Sequence, residues 1–231
     1  ITAALLVAFL WMQAASKSPL LPLRIFRAPG LATGNLVMAL LGASWIPLWF
    51  FLNLYLQTIL DLSAFGSGLA LLPMTLVIMV MMVRLTGPLI GRFGVKPVLV
   101  TGLLALAMSL ALFSALPADG TFFANVLPVS LLAAVGMSLA YIPVTMTGMG
   151  GAAPQDTGLA SGLINTTYQV GSALGLAVMV SLAASMQGEP EAMLAGYQTA
   201  FLGAAVVAGL AALASLVLVR GGAAAADVPV G

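Results

Sequence analysis

Long apolar runs, cut by short polar, charged or Pro/Gly-rich breaks, set the pattern of this chain of 231 residues. A bilayer core of ~30 Å takes ~20 helical residues at 1.5 Å each. Runs of that size lie near 31–56, 66–86, 97–116, 122–146, 158–184 and 197–219, with a shorter one at 1–15. They are continuously apolar, without the two-residue alternation of a membrane barrel, so each is predicted to be a membrane-spanning helix. The run at 1–15 opens on Ile1, already apolar and with no basic residues ahead of it. It reads as a truncated transmembrane linker helix rather than a secretory signal, and the chain as part of a longer protein. Residues 16–30 read as a linker, and the Gly/Ala-rich residues 220–231 as a disordered tail.

Composition agrees with lipid as the solvent. Apolar residues are 62% and charged residues 6% of the chain, against about 25% charged in an average globular protein. Mean hydropathy is +1.17. So few charges exclude both a water-soluble globule and the basic face that nucleic-acid binding needs. The chain has neither Cys nor His, which excludes disulfides, thiol chemistry, zinc sites of the usual kind and a Ser-His-Asp triad within it. No metal, cofactor or catalytic cluster is predicted, and no bond chemistry.

The charges orient the spans. If the spans alternate, all 7 basic residues fall on one side: Lys17, Arg24 and Arg27, then Arg84, Arg92 and Lys96, then Arg220. Asp61, Asp119, Glu189 and Glu191 fall on the other. By the positive-inside rule the breaks at 16–30, 87–96 and 147–157 and the C-terminus are cytoplasmic. Setting 1–15 aside, 31–116 and 122–219 are two sets of three spans that enter from opposite sides, the arrangement of inverted repeats in transporters.

Motifs sharpen this. Gly87-Pro-Leu-Ile-Gly-Arg-Phe-Gly-Val-Lys-Pro97 resembles the cytoplasmic G-x-L-x-D-R-x-G-R-K motif of the major facilitator superfamily. Gly87, Leu89, Arg92, Gly94 and Lys96 match it, whereas Gly91 replaces its Asp and Val95 its Arg. Gly158-Leu-Ala-Ser-Gly-Leu-Ile-Asn-Thr-Thr-Tyr-Gln-Val-Gly-Ser-Ala-Leu-Gly175 is similar to a run in EmrB/QacA-type fourteen-helix drug–proton antiporters, with Tyr168 in place of an Arg. Pro19-Leu-Leu-Pro-Leu-Arg-Ile-Phe-Arg27 and Tyr55-Leu-Gln57 resemble the same branch. The resemblance implies an all-α integral membrane fold: a six-helix C-terminal transporter domain at 31–219, made of two inverted three-helix repeats, preceded by part of one further helix. It implies multidrug efflux across the cytoplasmic (plasma) membrane by alternating access, with a small drug-like substrate, and protons coupled through an N-terminal half. In that reading Gly87, Arg92, Gly94 and Lys96 gate the cytoplasmic side; the plainer reading is anchoring to lipid phosphate.

The residues themselves offer a substrate path. On span 158–184, at ~100° per residue, Ser161, Asn165, Tyr168, Gln169 and Ser172 share an arc of about 100°. Polar groups in hydrocarbon are costly unless paired, so the stripe either lines a path or bonds neighbouring helices. Thr167 is expected to face away from it. Gly171 and Gly175 beside it are expected to permit close packing within the domain. Trp49 and Asn53, with Trp45, are spaced by four on the first complete span and suit an aromatic wall for flat molecules; the plainer reading is lipid contact for one Trp and an interfacial belt for Tyr55. Ser138, Tyr141 and Thr145 share a face that either lines the path or bonds backbone near Pro143. No Asp or Glu lies at membrane depth in the six complete spans, so a proton-titrating carboxylate is expected outside this chain. Alternatives to drug efflux are export of an endogenous metabolite or antibiotic, and a non-transporting membrane scaffold or remnant.

Overall fold

The computed structural model describes residues 30–184 and 190–219. The expectations for the helix at 1–15, the linker up to residue 29 and the tail at 220–231 lie outside them. Every long element among the described residues is a helix. The lack of water in a bilayer core forces this, because only a helix satisfies its own backbone within one segment. We label the helices α1 (Leu31–Thr58), α2 (Ala64–Phe93), α3 (Val95–Phe113), α4 (Phe122–Met149), α5 (Thr157–Ala184) and α6 (Pro190–Leu218). All 6 are long and apolar enough to cross a membrane.

Local chemistry sets their ends. Asp61 takes a left-handed turn (φ 52°) after α1. The Ser63 hydroxyl then caps α2 by accepting from the Gly66 N–H at 3.0 Å. At the cytoplasmic motif the helix does not stop where hydropathy falls. The span expected to end near residue 86 runs to Phe93, and α3 starts two residues later. Only Gly94 separates them, at φ 87°, a conformation that a side chain disfavours. A π-helical turn, Met81–Leu85, lies just ahead of Pro88, which has no N–H for the normal ladder. α6 starts at Pro190, earlier than the expected 197. Pro at the first helical position and Glu191 in the first turn are start signals that an apolar window misses.

Packing follows an exchange of the two three-helix sets. α1 packs on α5 as α4 packs on α2, and α1 on α6 as α4 on α3; α3 meets α6 and α1 meets α4 across the axis between the sets. This is the inverted repeat in its packed form. Small residues permit the closest crossings. A Cβ on Gly171 would strike the Ala39 backbone, and one on Gly175 the Ala43 backbone. The Gly171/Gly175 pair therefore serves α1–α5 packing inside the domain, as expected. At the end of the bundle where α3 leads into α4, Phe51, Phe113, Tyr197 and Phe201 form an aromatic cluster, with Phe113 and Phe201 stacked at 5.3 Å. Tyr55, fully buried, donates to the Pro117 carbonyl at 2.7 Å, and Gln198 to that of Leu116 at 2.8 Å. The loop joining the two repeats is thereby held to both α1 and α6.

Burial is uneven. In the most apolar window of α1, 56% of residues are buried; the figures are 11% for α2 and 22% for α5. α2 and α5 are equivalent under the exchange, and both turn broad faces out of the domain.

Candidate functional site

The stripe on α5 sits at the border between its packed and its outward face. Tyr168 and Ser172 turn inward: Tyr168 is half-buried, and the Ser172 hydroxyl donates to the Tyr168 carbonyl at 2.7 Å. Ser161, Asn165 and Gln169 are exposed. Neither Asn165 nor Gln169 hydrogen-bonds another described residue, so within this domain they do not bond neighbouring helices.

Tyr141 of α4 joins the stripe. Its ring meets that of Tyr168 edge-on, with centroids 6.0 Å apart and planes at 89°. Its neighbours on the same face have other uses. Ser138 is fully buried and donates to the Ala134 carbonyl at 2.7 Å, and Thr145 donates to the Tyr141 carbonyl at 2.8 Å. Each hydroxyl bonds a carbonyl one turn back on its own helix, and neither of these is the Leu139 carbonyl that Pro143 leaves without its helical partner.

Trp49 and Asn53 line an open groove of about 400 Å³ between α1 and α5. Ile46, Phe50 and Leu54 of α1 and Leu176 of α5 complete it. Leu176 is seven positions beyond Gln169, about two turns, and so on the same side of α5. The groove therefore continues the line of the stripe. Trp45 packs edge-on against Trp49 at 6.0 Å and is itself buried, which fixes the wall from behind. Pro47 lies in the same stretch of α1 and removes one ladder hydrogen bond there.

One contact was missed from the sequence. Thr167 lies on the opposite side of α5 from the exposed amides of the stripe: it is half-buried and donates to Asn35 Oδ1 of α1 at 2.7 Å. The Asn35 amide in turn donates to the Leu31 carbonyl at 2.8 Å. The available signal was Asn35 itself, an amide inside an apolar span that needs a partner.

At the other end of the site, the motif residues occupy the α2–α3 corner. Gly87 is exposed in α2 with open space beyond it. Arg92 is exposed in the last turn of α2, where its cation favours the helix C-terminus, and lies 5.3 Å from the Phe93 ring centroid. Gly94 makes the corner, and Lys96 is half-buried in the first turn of α3. Ile90, Val98 and Leu139 form a small apolar cluster under the corner, separate from the main core.

Six long apolar helices in two inverted sets, with polar groups at membrane depth, are the build of a membrane transporter. A family profile described as Major Facilitator Superfamily matches residues 3–176. The chain belongs to the major facilitator superfamily. Within the superfamily it is similar to antibiotic exporters and resistance proteins of actinomycetes. It is 37% identical over 203 residues to the cephamycin export protein of Amycolatopsis lactamdurans, across 87% of this chain and 42% of that protein. It is 36% identical over 183 residues to the tetracenomycin C resistance and export protein of Streptomyces glaucescens, across 78% and 33%. Identity to the lincomycin resistance protein of Streptomyces lincolnensis is 32% over 213 residues, across 88% and 43%. The chain thus spans less than half the length of these superfamily relatives. It is a multi-pass membrane protein.

Proposed function

We propose that this chain is the C-terminal six-helix half of a proton-coupled exporter of drug-like or antibiotic molecules in the cytoplasmic membrane, with its C-terminus in the cytoplasm. The observation that carries the reading is the pair of unpartnered amides, Asn165 and Gln169, turned out of the domain at membrane depth. Such groups are costly against lipid. They are satisfied if α5 faces a water-filled path shared with a second half. The sparse burial of α2 and α5 supports the same arrangement, and so do relatives more than twice as long as the matched segment. In this reading Trp49, Asn53, Tyr141, Asn165, Tyr168 and Gln169 line the path. Gly87, Arg92, Gly94 and Lys96 hold the cytoplasmic corner as the halves rock between inward and outward openings. Protons are carried by a carboxylate of the other half, because no acid lies at membrane depth in α1–α6. The EmrB/QacA-type branch suits the motifs at 19–27, 55–57 and 158–175.

An exchange experiment tests the reading. This chain replaces the matching segment of the cephamycin export protein, and everted vesicles are assayed for uptake of a cephamycin, tetracenomycin C and lincomycin. Proton-gradient-dependent uptake of at least one is expected from the exchanged protein, and none from residues 1–231 alone. Uptake by the chain alone would overturn the half-transporter reading. An exchanged protein that inserts at normal abundance yet moves none of the three would overturn drug efflux.

A further inference from the structure

The groove between α1 and α5 holds one side-chain amide among apolar and aromatic walls. That amide, Asn53, is not free to turn. Gln57 lies one helical turn further along α1, and its Nε2 donates to Asn53 Oδ1. A carboxamide has one accepting oxygen and two N–H donors. Gln57 takes one of the two lone pairs of the oxygen and fixes which way the amide lies, leaving both Asn53 Nδ2 hydrogens, which bond no other described residue. The other lining groups are Ile46, Phe50, Leu54 and Leu176, which offer no polar atom, and Trp49, whose ring is braced by Trp45 and whose indole N–H can only donate.

We propose that Asn53, oriented by Gln57, is the amide donor of this groove and selects apolar, flat molecules that carry an exposed carbonyl or carboxylate oxygen. The proposal rests on the reading of the groove as part of the substrate path. The selection follows from what each ligand leaves unpaired. A ligand with an accepting oxygen satisfies the amide while its body lies on Trp49. One without it buries the N–H groups with no partner, and that loss discriminates more strongly than apolar contact does. A cation finds no counter-charge among the lining residues. Gln57 is a positioning residue: it touches Asn53 and sets which end of that amide the groove presents.

The test uses the full chain in lipid nanodiscs and three matched probes, 2-propionylnaphthalene, 2-propylnaphthalene and 1-(2-naphthyl)ethylamine. Binding is measured by equilibrium dialysis, with binding to empty nanodiscs subtracted. The ketone is expected to bind about three- to tenfold tighter than the hydrocarbon, the range of one hydrogen bond. Asn53→Leu is expected to equalise them. In Gln57→Glu the carboxylate can only accept, so it turns Asn53 Nδ2 toward itself and presents Oδ1 to the groove. That variant is expected to lose the ketone preference and to gain affinity for the amine. Equal binding of ketone and hydrocarbon to the unmodified chain would overturn the proposal. So would a ketone preference that survives Gln57→Glu, or one proportional loss of all three probes in both variants. Absence of binding by any probe overturns it too, while the exchange experiment decides the export reading independently.

Discussion

Gly171 and Gly162 are both glycines of α5, nine positions apart, and the structure gives them opposite roles. A Cβ on Gly171 would run into the Ala39 backbone, whereas one on Gly162 meets nothing within 4 Å. Backbone atoms cannot swing aside as a side-chain tip can. Gly171→Val therefore has to push α1 and α5 apart and is expected to cost about 1–3 kcal/mol or more, as overpacking does. Gly162→Ala adds no clash and restricts the unfolded chain, so it is expected to be neutral or to stabilise by about 1 kcal/mol at most. Unfolding of the chain in mixed micelles, followed by helical circular dichroism, checks both. A Gly171→Val variant as stable as the parent would remove the close α1–α5 crossing. The same contrast separates the two amide groups near this face. Asn35 is held by Thr167, while Asn165 and Gln169 point away from every described neighbour. Thr167 is thus a packing residue, and the fair control for substitutions in the stripe is Val170, exposed on the adjoining apolar arc.

At the level of elements, hydropathy located all six described helices, because in lipid a continuous apolar run has no other folded option. It placed their ends less well. At α2 the polar motif Gly87–Phe93 lies outside the apolar window yet continues the helix, and a single glycine makes the corner. At α6 the first turn is polar and precedes the window. Helical phase gave the stripe on α5 and its adjoining glycines. It set Thr167 apart from the stripe but not against Asn35, because a wheel drawn for one helix does not know where the neighbour sits. The groove was legible only in part. Trp49 and Asn53 stood out as large or polar groups in an apolar span, but Leu176 carries no sequence signal that would place it opposite them. The charge asymmetry predicts a direction for each element, and this has a direct check. The chain contains no cysteine, so single cysteines at Asp61, Asp119, Arg92 and Asp156 can each be probed with a membrane-impermeant thiol reagent in intact cells. Reaction is expected at Asp61 and Asp119 and is expected at Arg92 and Asp156 only after permeabilisation. Asp119 and Arg92 reacting from the same side would break the inverted order of the two sets.

The whole molecule is organised around what it leaves uncovered. α1 is the packing centre, in contact with α4, α5 and α6, while α2 and α5 give up burial on faces related by the exchange of repeats. An autonomous membrane domain has no need to turn Asn165 and Gln169 outward next to Val170, Leu174 and Val178. Together these make a face with a polar margin and an apolar centre, which suits a second helical half packed on the apolar part and water along the polar margin. The two environments are separable by chemistry. Cysteines at Asn165 and Gln169 are compared with one at Leu174, all in the exchanged transporter and in the chain alone. In the exchanged transporter, Asn165→Cys and Gln169→Cys are expected to react with a small hydrophilic methanethiosulfonate at least tenfold faster than Leu174→Cys. A bound substrate is expected to slow them. In the chain alone all three face lipid, where the thiolate that reacts is suppressed by desolvation, and all are expected to react slowly. Asn165→Cys reacting no faster than Leu174→Cys in the exchanged protein would mean that the polar margin meets lipid or the partner half rather than water. The stripe would then leave the substrate path, although the fold and its superfamily membership would stand.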